Sequence, residues 1–260
     1  MLRLFTHKIN ADWINARLTN AYQTGQFENI KFSLAYPMLI YASISCVTIM
    51  QDKLLKSGGA LDKLTALDPD IADAVKKFGP PADRSLPANF DTLARAIIGQ
   101  QISRAAAAAI WHQMQNQNIQ KPDIIVAMPV EKVMQAGLSR RKAEYLIGIA
   151  DEITSGRLNL YALHQLSGDE VQKRLIEIRG IGAWTANNFR LFALGDMDAW
   201  PANDLALQEG MKRLKGLDER PNVKHMEQLG ASWKPYRGAG ALMLWHIYGI
   251  LVGRSTVGDI

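Results

Sequence analysis

The sequence predicts an all-α fold, and three observations support that class. After Met50 the apolar residues recur at spacings of three and four, which is the period of a helix with one buried face. Residues that cap helix N-termini stand directly before several of these runs. Patterns that alternate apolar and polar residues, as in a half-buried strand, are scarce. The helices indicated in this way cover residues 61–78, 90–116, 139–153, 167–178, 183–194, 204–214, 223–232 and 236–252.

Local signals justify these elements in chain order. Residues 61–78 carry regularly spaced leucines, and 90–116 form the longest candidate, with Asn89 placed to cap its start. Ser139 is placed to cap the next helix in the same way. Ser167-Gly168-Asp169-Glu170 then has the order of a capping box ahead of the apolar run that follows it.

Composition and charge restrict the class of protein. A chain of 260 residues can form one large domain or two small ones, and its formal charge of +5 permits a polyanionic partner without requiring one. The single cysteine, Cys46, excludes an internal disulfide, a four-cysteine zinc site and an iron–sulfur cluster. The histidines have no metal-ligand spacing, and no nucleotide-binding loop occurs. The cysteine usage favours a reducing, intracellular compartment.

Residues 1–50 differ from the rest of the chain. Phe32 to Gln51 carries no charge and has about the length that spans a bilayer, but Pro37, three serines and a threonine make it a poor membrane helix. Three interpretations stay open: a buried β or irregular segment, a stretch upstream of a working protein that starts at Met50, or a membrane anchor. We therefore treat 1–50 as an N-terminal extension of uncertain status and 51–260 as the main domain, with no membrane expected.

Gly180-Ile181-Gly182 joins the capped helix to the next one. Glycine tolerates positive φ and lets the backbone approach another chain closely. The helix that follows begins with unpaired amides and a positive dipole end, so the segment can bind a phosphate. An ordinary turn between two helices would explain the same glycines.

The surrounding sequence resembles the helix-hairpin-helix and Gly/Pro…Asp signature of the base-excision DNA glycosylase superfamily. The resemblance is carried by residues 175–207, LIEIRGIGAWTANNFRLFALGDMDAWPANDLAL. Segments 93–103, 137–143 and 233–237 match the same family in the same order, so the resemblance covers roughly residues 60–252. It implies two helical lobes with the active-site cleft between them. The hairpin would lie at about 171–194 and the catalytic loop at about 195–205.

Three positions discriminate between branches of this family. Trp184 stands where the lyase branch has a Schiff-base lysine, and Ala96 stands where adenine-mismatch enzymes have a glutamate. The C-terminal cysteines of those branches are also missing. The chain therefore resembles the alkylation-repair branch, 3-methyladenine DNA glycosylase II. This implies hydrolysis of the N-glycosyl bond without AP-lyase activity, no iron–sulfur cluster and no required cofactor.

The resemblance also implies roles for individual side chains. Asp204 matches the catalytic aspartate, which would stabilise positive charge on the sugar, although it could equally cap a helix. A cationic alkylated base gains about 0.5–2 kcal/mol from an aromatic face, so the pocket needs aromatic residues. Asp198 is interpreted as solvated or as supporting the loop. The pocket candidates are Trp184, Tyr236, Trp233 and Trp200, of which the last two could instead be core residues.

DNA contacts are expected at the hairpin and at the turn that begins at the Gln-Gln pair. The candidates are Gly180, Gly182, Ala183 and Thr185 in the hairpin, and Gln101 and Ser103 for filling the gap left by a flipped base. Arg140, Arg141 and Lys142 are interpreted as a solvated helix face. A monovalent cation, Na⁺ or K⁺, would bind through backbone carbonyls of Ile176, Ile178 and Ile181.

Together these expectations describe a monofunctional glycosylase that removes alkylated purines, of the 3-methyladenine and 7-methylguanine type, from double-stranded DNA. We expect a cytoplasmic, nucleoid-associated monomer if the source is bacterial. Two alternatives stay open. One is a non-catalytic hairpin protein that binds damaged DNA, and the other is a glycosylase of the same fold for deaminated or oxidised bases.

Overall fold

The computed structural model describes residues 54–253, and within that range the chain forms α-helices and short 3-10 helices but no strand. The all-α prediction is therefore confirmed. Over this part of the chain, no helix is both long and apolar enough to cross a bilayer. The α-helices are α1 (Ala60–Leu67), α2 (Pro69–Phe78), α3 (Phe90–Ile98), α4 (Arg104–Asn116), α5 (Pro122–Ile125), α6 (Val130–Met134), α7 (Arg140–Thr154), α8 (Gly168–Ile176), α9 (Ala183–Leu194), α10 (Leu205–Lys215), α11 (Val223–Gly230) and α12 (Arg237–Leu251).

The helices pack around two separate apolar cores, which define two lobes. The middle lobe, residues 90–194, buries Leu93, Leu146 and Ile149 among others. The terminal lobe combines residues 54–78 with residues 195–251, and its core includes Leu64 and Trp233. From residue 54 onward the chain thus forms part of the terminal lobe, then the middle lobe, and then the rest of the terminal lobe, which confirms the predicted two-lobe architecture.

Helix α9 belongs to both lobes. Phe189 and Ala193 lie in the core of the middle lobe, whereas Leu191 lies in the core of the terminal lobe. Because the helix is buried on nearly every side beyond its first turn, it shows no polar stripe of the kind that surface helices have. Its N-terminus is thereby fixed relative to both lobes.

The single helix predicted over 61–78 is wrong, because the chain breaks at Asp68. Asp68 is extended, and its side chain accepts a hydrogen bond from the Asp70 amide at 2.9 Å as the N-cap of α2. Pro69 disfavours a helical conformation for the residue before it and suits the first position of a new helix.

The long helix predicted over 90–116 is also wrong. Helix α3 ends at Ile98, and α4 starts only at Arg104, after Ser103 has accepted a bond from the Ala106 amide at 3.2 Å. Between them Gln101 has φ 59°, a left-handed conformation that interrupts the helix. The apolar residues before and after this turn keep a helical spacing, and for that reason the sequence pattern predicts one continuous helix.

Three predicted caps are present. Asn89 accepts from the Thr92 amide at 3.1 Å, and Ser139 accepts from the Lys142 amide at 3.4 Å. Ser167 and Glu170 form both bonds of the capping box at the start of α8. The predicted boundary between 1–50 and 51–260 lies outside the described residues and stays a prediction.

Candidate active site

Asp204 lies at the N-terminus of α10, where its carboxylate accepts three hydrogen bonds. Oδ1 accepts from the Leu207 amide at 2.8 Å and from the indole nitrogen of Trp245 at 3.0 Å. Oδ2 accepts from the indole nitrogen of Trp184 at 2.7 Å. The capping role and the predicted catalytic role are thus compatible, since the cap and the two indoles hold a half-buried carboxylate in one orientation.

Two ion pairs fix the loop that leads to Asp204. Arg190 of α9 pairs with Asp196 at 2.7 Å, and Arg237 at the start of α12 pairs with Asp198 through bonds of 2.8 and 2.7 Å. Burial acts to lower the pKa of Arg237, but the hydrogen bonds that it donates to Asp198 outweigh this effect and leave that pKa raised. Asp198 therefore supports the loop, which is one of the two roles considered for it from the sequence.

An aromatic wall stands beside the carboxylate. Trp184, in the first turn of α9, has 37% of its surface exposed, the largest exposure of any tryptophan among the described residues. On the other side of Asp204, Trp245 stacks on Phe192 with ring centroids 5.5 Å apart and planes inclined by 26°. The sequence reasoning missed Trp245, because it lies in a helix that is apolar nearly all round and reads as core.

Two of the predicted pocket residues, Trp233 and Trp200, lie in the core of the terminal lobe and not beside Asp204. Trp233 is 0% exposed and Trp200 is 4% exposed, and the two rings pack edge to face in the core of the terminal lobe. The Trp233 indole donates to Asp68 at 2.6 Å, and a Cβ on Gly240 would come within 2.4 Å of its ring. Neither side chain has a free face for a base, so both pocket assignments are corrected to core.

Tyr236 is half-buried against the core of the terminal lobe. The ammonium group of Lys63 lies 5.6 Å from its ring centroid. The structure does not join it to Trp184 and Asp204, so its pocket role stays a prediction.

The two hairpin glycines differ in what a side chain at their position would meet. Gly180 has φ +99°, a backbone conformation that residues with a side chain rarely adopt, and a Cβ there would lie 2.4 Å from the Tyr145 ring. Both the conformation and the lack of space therefore require glycine. Gly182 precedes α9, and a Cβ there would meet nothing within 4 Å. Gly182 and Ala183 are exposed, so the first amides of α9 are open to a ligand.

Thr185, another predicted DNA contact of the hairpin, has a buried side chain. Its side chain is 2% exposed, and its hydroxyl accepts a hydrogen bond from Gln100 Nε2 at 3.3 Å. The hydroxyl therefore serves the protein interior, and a contact between DNA and the Thr185 amide in the first turn of α9 stays a prediction.

The turn that begins at the Gln-Gln pair is tied to the hairpin. Gln100 Nε2 also donates to the Gly180 carbonyl at 3.1 Å. Lys142 Nζ donates to the carbonyls of Ile98 and Gln100 at 2.7 and 2.6 Å, and burial lowers the pKa of this lysine. These hydrogen bonds hold the turn against the hairpin, so that the exposed side chain of Gln101 lies in a fixed position beside it.

The solvated face predicted for Arg140, Arg141 and Lys142 is only partly correct. Arg140 is exposed and pairs with Glu131 at 2.6 Å. Arg141 donates to the hydroxyl of Tyr145, whereas Lys142 supports the turn described above. Ser103 is exposed, but its hydroxyl caps α4.

The carbonyls predicted to hold a monovalent cation lie around the hairpin. The Ile178 carbonyl accepts the Ile181 amide at 3.0 Å, which leaves one lone pair of that oxygen for an ion. Over residues 54–253, no group of histidine, cysteine or acidic side chains has the arrangement of a metal site. Any ion here would therefore depend on backbone oxygens.

Known proteins share this sequence and architecture. The family described as HhH-GPD superfamily base excision DNA repair protein matches residues 94–235. A solved 3-methyladenine DNA glycosylase, Mag1 of Schizosaccharomyces pombe in complex with abasic DNA, is 31% identical with a TM-score of 0.64, over 72% of this chain and 94% of that one. A DNA-3-methyladenine glycosidase of Bacillus halodurans is 31% identical with a TM-score of 0.67, over 76% of this chain and 92% of that one.

A sequence relative adds a shorter match. The Bacillus subtilis protein YfjP, whose name includes DNA-3-methyladenine glycosylase, is 36% identical over 125 residues, which is 48% of this chain and 44% of YfjP. The chain thus spans less than half of that relative. The family match covers more than half of the present sequence, from α3 through the loop before Asp204 to the segment before α12. The chain belongs to the HhH-GPD superfamily of base excision DNA repair proteins.

Proposed function

We propose that this chain is a monofunctional DNA glycosylase that hydrolyses the N-glycosidic bond of alkylated purines in duplex DNA and leaves an abasic site. One observation carries the proposal. The Asp204 carboxylate is held by the indole nitrogens of Trp184 and Trp245, next to open hairpin amides. An anion, an aromatic wall and a phosphate-binding helix end are the three groups that this reaction needs.

The carboxylate acts on the sugar. Departure of the base leaves positive charge on the anomeric carbon and ring oxygen, and a fixed anion lowers the energy of that transition state. The bond between carbon and base nitrogen breaks, both electrons leave with the base, and water supplies the new oxygen on carbon. Asp204 orients that water or accepts its proton.

The aromatic wall acts on the base. Alkylation at N3 of adenine or N7 of guanine makes the base cationic and a good leaving group, so little acid catalysis is needed. The edge of Trp184 is bound to Asp204, which leaves the exposed face of its ring for stacking. A cation over an indole face gains roughly 0.5–2 kcal/mol.

A hydrolytic rather than lyase reaction fits the residues at the hairpin. Trp184 carries no amine that could form an imine with the sugar. The amine of Lys142 donates to two backbone carbonyls and supports the turn. The proposed product is therefore an intact strand with an abasic site.

The turn between α3 and α4 would fill the gap that a flipped base leaves in the duplex. Extracting a base costs a few kcal/mol, and a side chain that fills the gap offsets part of this cost. Gln101 is exposed and held at φ 59°, and strain of this kind is typical of functional turns. We assign the gap-filling role to Gln101 rather than to Ser103, because the Ser103 hydroxyl caps α4.

Backbone groups complete the proposed DNA interface. The amides of Gly182 and Ala183 would bind a phosphate at the positive end of α9. A monovalent cation held by the carbonyls of Ile176, Ile178 and Ile181 would add positive charge at the same phosphate. The protein would work as a monomer in the compartment that holds the chromosome.

Base release from methylated duplex DNA tests the proposal. Free bases are separated by chromatography for the wild type and for Asp204→Asn, a change that tests chemistry rather than folding, because asparagine caps helices as well as aspartate does. We expect methylpurine release from the wild type, strand cleavage only after alkali, and a loss of release of at least 100-fold in the variant. Equal release from both proteins would contradict the assignment of Asp204.

A further inference from the structure

Arg84 lies at the candidate site and has no hydrogen-bond or ion-pair partner among residues 54–253. It lies between α2 and α3, in a loop held to α9 by the Leu86 amide, which donates to the Phe192 carbonyl at 2.8 Å. The Arg84 guanidinium lies 5.0 Å from the Phe192 ring centroid and 5.8 Å from that of Trp245. Arg84 therefore covers the aromatic pair whose Trp245 indole donates to Asp204.

The donors of this guanidinium are unused within the described part of the chain. Cation–π contacts with the two rings engage its face, but no hydrogen bond or ion pair with residues 54–253 engages its N–H groups. The neighbouring Asp83 carboxylate accepts instead from the amide and hydroxyl of Ser85 at 2.9 and 2.7 Å. Arg84 is half-buried against two rings, and a guanidinium in such a place normally pairs its donors, so these point to an acceptor that residues 54–253 do not supply.

The charges around Arg84 indicate that this acceptor is an anion. Burial lowers the pKa of Arg84, the positive charge of Arg104 lowers it further, and Asp204 opposes both effects. Two guanidinium groups are thus close enough to repel each other. An anion bound to Arg84 would offset that repulsion and replace lost hydration.

The surroundings indicate which anion it is. Arg104 is the first residue of α4, directly after the turn that carries exposed Gln101 and Ile102. Arg84 borders the same cleft from the side of Asp204 and Trp245. An anion bound to Arg84 would lie near the Asp204 carboxylate, where the strand that carries a flipped nucleotide would enter.

We propose that Arg84 binds a backbone phosphate of the DNA strand that carries the extracted nucleotide. This inference rests on the proposed function, since it takes DNA as the substrate. It adds a phosphate contact on the cleft side, separate from the hairpin amides of Gly182 and Ala183. The planar fork of arginine suits a phosphate, and its ring contacts pre-orient the donors.

Equilibrium binding tests the inference without using catalysis. The full chain is titrated into a fluorescent duplex with a tetrahydrofuran abasic-site analogue at several salt concentrations. We expect Arg84→Gln to bind about tenfold more weakly near 0.1 M salt and to lower the slope of log K against log salt by about 0.9, the value for one phosphate contact. Arg84→Lys should recover the slope.

Arg157→Gln is the matched control. Arg157 pairs with Asp151 and Glu152 at the far end of α7 from the turn, and this variant should keep the affinity and salt slope of the wild type. Thermal unfolding of each variant checks that the fold is intact. If Arg84→Gln folds and retains the wild-type salt slope, the phosphate contact is refuted, and Arg84 only supports Trp245. If the wild type itself does not bind the duplex, the proposed function fails as well.

Discussion

Trp184 donates its indole hydrogen to Asp204 across 20 residues of sequence, at 2.7 Å. The bond joins the first turn of α9, which follows the hairpin, to the N-cap residue of α10, which ends the loop between α9 and α10. A base stacked on Trp184 would therefore lie at a fixed position relative to the carboxylate. In this arrangement the same indole places the base and orients the anion, which explains why the proposed reaction needs a tryptophan rather than any aromatic residue.

Replacing Trp184 by phenylalanine separates these two roles. The variant keeps an aromatic face but leaves Asp204 with donors from Leu207 and Trp245 alone. Losing a hydrogen bond to a charged group costs about 1.5 kcal/mol or more, so we expect single-turnover base release to fall about tenfold or more. Binding to an abasic duplex should change little.

Trp200→Phe is the control for this variant. The Trp200 indole nitrogen is buried without a hydrogen-bond partner within the described range, so its removal deletes an N–H group that no acceptor uses. We expect wild-type release from it. If Trp184→Phe released methylpurines as fast as Trp200→Phe does, the bond to Asp204 would have no catalytic role.

The two hairpin glycines should respond differently to alanine. Gly180→Ala places a Cβ 2.4 Å from the Tyr145 ring at φ +99°, so we expect it to destabilise the fold by more than about 1 kcal/mol. Gly182→Ala meets no protein atom within 4 Å and should unfold near the wild-type midpoint. Its methyl group would face the proposed phosphate site, so DNA binding should weaken.

Urea unfolding and titration of an abasic duplex measure the two effects separately. Gly180→Ala should lower the unfolding midpoint, and Gly182→Ala should raise the dissociation constant without a change in midpoint. Unaltered DNA binding by a folded Gly182→Ala protein would place the phosphate away from this amide.

The sequence could predict residues whose role is local, and it failed where the environment is set by distant parts of the chain. The position of Asp204 follows from a loop motif and a helix cap, both readable over a few residues. Trp184 and Trp233 are the same residue type, but one opens a helix and the other is enclosed by Gly240 and Asp68. Only the folded terminal lobe distinguishes them.

The helix boundaries show the same contrast. Pro69 indicates the break at Asp68 in the sequence, but the regular spacing of the leucines favoured one continuous helix over 61–78. The break after Ile98 had a weaker signal, since the left-handed Gln101 depends on the bonds of Lys142 and Gln100 to other segments. Trp245 likewise becomes a candidate site residue only when α12 brings it beside Asp204, 41 residues away in the chain.

A buried ion pair in the terminal lobe should make stability depend on pH. Lys215 Nζ lies 2.6 Å from Asp68 Oδ2, and the Trp233 indole donates to the same oxygen. Burial acts to raise the pKa of Asp68, but the hydrogen bonds from Lys215 and Trp233 outweigh it, and the pKa falls below its ordinary value of 3.8. Because the folded-state pKa is the lower one, the stabilisation is present above about pH 4 and is lost as pH falls through the folded-state pKa.

Asp68→Asn tests this dependence. We expect it to lower the free energy of unfolding by about 1–3 kcal/mol at pH 7 and by clearly less near pH 3, measured by urea unfolding at both values. Asp73→Asn is the control on the same helix. Its ion pair with Lys76 is 77–78% exposed, so we expect a change of less than about 0.5 kcal/mol at either pH. A penalty for Asp68→Asn that stays the same from pH 7 to pH 3 would show that the charge of Asp68 does not stabilise the fold, and that the hydrogen bond to Trp233 alone accounts for its effect.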